Sequence, residues 1–114
     1  MGFYPILFNN NGSTLRLKVK IPFAQYSRLW FMFIGTPGGR PSVQFVHAHT
    51  ENNIPQANIY NILKTDDNYV YTVDSAALDS NNYMDILFKR TYNSYDSMQV
   101  VTVNTWCNFG HSFS

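Results

Sequence analysis

A chain of 114 residues is long enough for one domain with its own core, and its single cysteine leaves no internal disulfide to hold it together. Only 13% of the residues are charged, against an average of about 25%, while 45% are hydrophobic and 17% aromatic. A net charge of +1, with Arg16, Lys18 and Lys20 as the only short basic cluster, argues against nucleic acid and against insertion at an anionic membrane.

Period-two alternation dominates the chain, as expected of strands with one buried face. Asn9-Asn10-Asn11-Gly12 reads as a hairpin turn between Phe3–Phe8 and Ser13–Phe23, because Asn-Gly supplies the positive φ that such turns need. In the second of these strands Leu15, Leu17, Val19, Ile21 and Phe23 share one face, with Thr14, Arg16, Lys18 and Lys20 opposite. Leu29–Ile34 is apolar on both faces and predicts a central strand. At six residues it is also the longest apolar run, far short of the roughly 20 of a membrane span. Thr36–Pro41, rich in Gly and Pro, ends it. Ser42–Thr50 alternates again, with Val43, Phe45, His47 and His49 on one face.

Ala57–Lys64 and Tyr69–Asp74 flank the polar cluster Thr65-Asp66-Asp67-Asn68 and predict a second hairpin. Asp79–Asn82 is a further turn. Tyr83–Thr91 follows with Met84, Ile86 and Phe88 on one face, Tyr92–Asp96 turns the chain, and Met98–Thr105 closes it with Val100, Val101 and Val103. About eight short strands without helical periodicity predict a single antiparallel β-sandwich over residues 1–114, of jelly-roll type. The first residues have neither the basic start nor the apolar stretch of a signal peptide. Met1-Gly2 is compatible with a natural start and with a scar at the head of a piece cut from a longer protein.

Chemistry is sparse. Cys107 has no neighbouring base and reads as an inert thiol. Asp66, Asp67, Asp74 and Asp79 lie in or beside turns, where Asp bonds local backbone, and Asp85 alternates outward on a strand, so paired-carboxylate hydrolysis is not indicated. No nucleophile elbow and no phosphate loop is present. His47-Ala48-His49 sets two imidazoles on one strand face, to be read first as partly buried strand histidines and otherwise as a transition-metal pair that needs further ligands, such as those of other copies meeting on an axis. Eight tyrosines and thirteen asparagines suit a surface that binds sugar or protein. The local clusters are Tyr69 with Tyr71, then Tyr92, Tyr95 and Asp96, and Trp106; these are the candidate ligand contacts.

Asn82-Tyr-Met-Asp-Ile-Leu-Phe-Lys-Arg90 followed by Ser97-Met-Gln-Val-Val-Thr-Val103 resembles the final strands of small domains at the distal ends of phage tail fibres. Gly12–Lys20 is similar to their opening strand. The resemblance implies a homotrimer of β-sandwich knobs on a virion, acting outside the cell to bind a host surface glycan or protein. It also likens His47-Ala-His49 to a His-x-His element that holds iron on a three-fold axis. Without a ligand of its own, the same chain would be a purely structural fibre component; the low charge suits either role, since assembly interfaces resemble a core cut in half.

Overall fold

The computed structural model describes residues 6–21, 25–36, 39–105 and 111–113, with side chains for 13–21, 25–36 and 39–91. Seven strands appear among them: β1 (Ile6–Lys20), β2 (Tyr26–Gly35), β3 (Ser42–Glu51), β4 (Ile54–Lys64), β5 (Thr72–Leu78), β6 (Tyr83–Thr105) and the three-residue β7 (His111–Phe113). Every pairing is antiparallel. No described helix is long and apolar enough to cross a membrane.

β1 and β6 are long because each serves two sheets. Residues 6–12 of β1 pair with the second half of β6, which pairs in turn with β2, and β3 and β4 follow outward. Beyond Thr14, β1 pairs with the first half of β6, which carries β5 on its other edge, while Leu17–Val19 pair with β7. Two antiparallel sheets thus share one bent hairpin, and their facing sides enclose the core. Leu15, Leu17, Val19 and Ile21 meet Met84, Ile86 and Phe88 on one side, and Leu29, Phe31, Phe33, Val46 and Ala48 on the other. All are at most 1% exposed, and burying each of these side chains other than the small Ala48 contributes roughly 1.5–3 kcal/mol.

The all-β, sandwich-like class agrees with the sequence reading, but five details differ. Seven strands stand in place of eight, and the strand order does not show jelly-roll connectivity. The expected hairpin at Asn9–Gly12 and the expected turn at Tyr92–Asp96 are instead extended chain, paired as Asn10 with Asp96 and Asn11 with Tyr95. The ladder slips between Gly12 and Thr14, where Arg90–Asn93 lie against Ser13 alone. Two turn-forming stretches therefore face each other and make the bulged corner at which the hairpin passes from one sheet to the other, since extra unpaired residues on one strand bend it. Phe3 and Phe23 lie outside the described residues.

The hairpin expected across Thr65–Asn68 is also absent: β4 pairs with β3, and β5 with β6. The intervening segment crosses between sheets through a 3-10 turn at Asp67–Tyr69. Asp66 accepts from the Asn68 N–H at 2.9 Å and meets Arg40 at 3.3 Å, and the Thr65 hydroxyl donates to the Pro41 carbonyl at 3.2 Å. Beyond this turn, the buried Gln44 acts as a surrogate strand. Its Oε1 accepts from the Tyr71 N–H at 3.0 Å, and its Nε2 donates to the Tyr71 carbonyl at 2.7 Å and to Asn61 Oδ1 at 2.9 Å.

Asparagines make the tight reversals. Asn52 and Asn53, at φ 52° and 65°, close the two-residue β3–β4 hairpin in the left-handed region that Asn tolerates. In the β5–β6 turn, Asp79 accepts from the N–H groups of Asn81 and Tyr83 at 2.8 and 2.9 Å, and Asn82 sits at φ 63°. The Tyr83 N–H, then that of Asn81 with Lys18 nearby, hold the Asp79 carboxyl below its usual range against a smaller opposing effect of desolvation.

Replacing Gln44 by Leu keeps the volume but leaves the buried Tyr71 N–H and carbonyl without these partners. Urea unfolding should show a loss of about 2–4 kcal/mol, each unsatisfied group costing about 1–3. Asn61→Ala, which removes only the exposed end of the network, should cost less than half as much.

Candidate binding face

The side of the first sheet that faces away from the core is unusually apolar. Along β3, the small and polar Ser42, Gln44 and Thr50 point inward with Val46 and Ala48, so Val43, Phe45, His47 and His49 point out. Register then sets these beside the outward residues of β2 and β4. One row holds Arg28, His49 and Gln56; the next Trp30, His47 and Asn58; the third Met32, Phe45 and Tyr60.

Within these rows the rings stack. Trp30 lies 3.8 Å from His47 at 11° between planes and 5.1 Å from Phe45 at 39°. His47 lies 4.6 Å from His49 at 19°. Phe45, Trp30, His47 and His49 thereby form one continuous half-buried ladder, each contact contributing about 0.5–1.5 kcal/mol beyond the area it covers. Tyr60 extends it to the edge strand, where it is exposed. His47 Nε2 and His49 Nδ1 are shielded from solvent and make no hydrogen bond among the described residues. Burial first, then the neighbouring His49 and Arg28, lower the pKa of His47 below its ordinary 6.5 and favour the neutral ring.

The histidine pair expected from the sequence is thus a stacked pair. The stacked rings keep their in-plane lone pairs in separate, nearly parallel planes, a poor arrangement for sharing one ion. Among the described residues no group of three or more His, Cys, Asp or Glu side chains is placed to hold a metal. The axial ion implied by the resemblance would have to take its ligands from several copies.

The expected ligand contacts do not form one site. Tyr71 is 1% exposed, packed edge-on against Phe33 at 6.4 Å with the Arg90 guanidinium 4.9 Å over its ring; it belongs to the core and offers no face to a ligand. Tyr69 is half-buried beneath Arg40, at 4.6 Å. Tyr92, Tyr95 and Asp96 lie in the later part of β6, where only the backbone is described, and Trp106 and Cys107 lie outside the described residues. A shallow cleft lined by Asp67, Val70, Thr72, Lys89, Arg90 and Thr91 adjoins Tyr69 in sequence. The sequence reading missed Trp30 and Tyr60 as site residues, because only the β2–β3–β4 register brings them beside the histidines.

The aspartates whose side chains are described serve the fold. Asp66 caps the crossing turn and meets Arg40, Asp79 closes its hairpin, and Asp67, Asp74 and Asp85 pair with Lys64, Lys89 and Arg16 at 2.6, 2.7 and 3.3 Å.

Fold and face together define a sandwich-like β domain bearing a stacked aromatic and imidazole surface. No family model, no curated protein sequence and no solved structure matches the chain.

Because folding lowers the His47 pKa, the folded state binds fewer protons there than the unfolded chain. That contribution to stability is complete above about pH 6.5 and is lost as pH falls through the lowered folded value. Urea midpoints should therefore decline between pH 7.5 and 5, and His47→Phe, which keeps a stacking ring but cannot titrate, should flatten the decline.

Proposed function

We propose that the domain is a non-catalytic attachment module, the receptor-binding tip of a virion tail fibre, which holds a cell-surface saccharide against the outer face of β2, β3 and β4. The observation that carries this reading is the Phe45–Trp30–His47–His49 ladder, running beside exposed Tyr60 and the amides of Gln56 and Asn58. A pyranose offers flat C–H faces and a rim of hydroxyls; rings suit the first, and amides with donor and acceptor atoms suit the second. The structural employment of the described aspartates at turns and ion pairs supports a role without hydrolysis. The fibre setting and the extracellular site of action come from the resemblance of the Asn82–Arg90 and Ser97–Val103 strands. The jelly-roll connectivity expected with it is not needed for the face to form.

A purely structural fibre role is the second reading, favoured by the exposed apolar residues of β4. An array of immobilised oligosaccharides separates the two. Under the attachment reading at least one glycan binds, and Tyr60→Ala, at an exposed position, weakens it about tenfold or more, equivalent to about 1.4 kcal/mol. Binding that survives both Tyr60→Ala and Trp30→Ala would place the ligand elsewhere, and binding to no glycan would leave the structural role.

A further inference from the structure

β4 is an edge strand: β3 pairs with one side of it, and no described strand pairs with the other. Natural edges are blunted by charge, proline, bulges or covering segments, because an open row of N–H and C=O groups recruits other strands. Among the described residues, proline and bulge stand only at the ends of the strand, and β5 packs beside β4 without pairing with it. Pro55 stands near the start, and the register shift against Val43 and Gln44 leaves Ile62 as an extra residue near the finish. Between them Gln56–Asn61 run in unbroken register with β3 and carry no charge. The strand also concentrates the exposed apolar surface, with Ile54 58%, Tyr60 54%, Ile62 64% and Leu63 45% exposed.

The sequence of this edge is complementary to itself. An antiparallel pair of identical strands closes on a two-fold axis normal to the sheet, which requires opposed residues to share a face. Centring that axis on Asn58 satisfies the rule. Gln56 then faces Tyr60 of the second copy, Ala57 faces Ile59, Ile54 faces Ile62, and Asn58 faces Asn58. No like charges meet. Lys64, the strand's one charged residue, falls beyond the paired stretch and is engaged by Asp67 at 2.6 Å. On the inner face the Ala57–Ile59 pairs would prolong the core, since both already pack partly buried against it.

We propose that two copies of this chain pair through β4, antiparallel about Asn58, so that the first sheet runs unbroken from one copy into the other. The two aromatic ladders then lie side by side on one continuous surface. With strands about 4.8 Å apart, the β3 strands of the two copies are separated by about 14 Å. The seam stands independently of what the face binds. It replaces the three-fold arrangement implied by the resemblance, because this edge pairing closes after two copies.

Light scattering after size exclusion and sedimentation equilibrium, at high micromolar concentration, test it on the full chain. The expected mass is twice 13.2 kDa. Asn58→Lys and Asn58→Asp each set like charges together on the axis and should each give a monomer with an unchanged circular-dichroism spectrum. Mixed in equal amounts, the two should restore the dimer as a heterodimer. Ile62→Arg, at a position 64% exposed, should also give a folded monomer if a change at Asn58 disturbs β4 itself. A wild-type monomer, a trimer, or a dimer that persists through all three substitutions overturns the seam. None of these outcomes bears on glycan binding, which the array reads separately.

Discussion

One ladder of backbone hydrogen bonds, between β1 and β6, is the constraint on which the rest depends. It runs from Ile6 opposite Val100 to Lys20 opposite Tyr83, and both sheets are hung on it. Its bulged corner, where Arg90–Asn93 lie against Ser13, turns a single hairpin into the hinge line of a sandwich. The direction taken at that corner decides which face of β2 and β3 meets the core. Leu29, Phe31 and Phe33 go in, so Trp30 and its neighbours are committed to the outside.

The outer face follows from this as a by-product of packing, yet its composition is not that of a solvated sheet. An ordinary open antiparallel sheet carries polar residues on its wet side. This one carries Trp30, Met32, Ile34, Val43 and Phe45, half-buried against one another. Few charges are available to cover it, and those present are largely used elsewhere: Asp66 with Arg40, Asp67 with Lys64 and Asp74 with Lys89 secure the crossing turn and β5. Stacking covers part of the exposed ring area, and a ligand or a neighbouring subunit would complete the cover.

Much of the strand layout is legible in the sequence, for a simple reason. Leu15, Leu17 and Val19, like Met84, Ile86 and Phe88, alternate strictly and bury every second side chain, so period alone reveals them. Leu29–Ile34 likewise shows its central place, flanked by β3 and β6. Turn chemistry is less decisive. Asn9–Gly12 and Tyr92–Asp96 have the composition of reversals, but each stabilises irregular backbone only locally, and their mutual pairing, about 85 positions apart, made extended chain the better solution. Asn52-Asn53, an actual reversal, lacks the glycine that usually marks one. Gln44 looks like an outward residue until the inward course of Val46 and Ala48 fixes its side of β3. The histidine pair is visible as a dyad at period two, whereas its stacking on Trp30 belongs to register between strands.

The shared ladder also governs the order of events during synthesis. β1 leaves the ribosome first, but most of its partners in β6 come more than sixty residues later, so the domain's longest pairing must wait for nearly the whole chain. The β2–β3–β4 meander is local and can form beforehand, whereas contacts of such long range are slow to close. Through that interval the nascent meander holds out an uncharged margin with no completed sandwich behind it. Partial chains are then the species most prone to stick to one another. A cut at the corner of β6, at residues 90–93, would separate the half of the strand that serves one sheet from the half that serves the other.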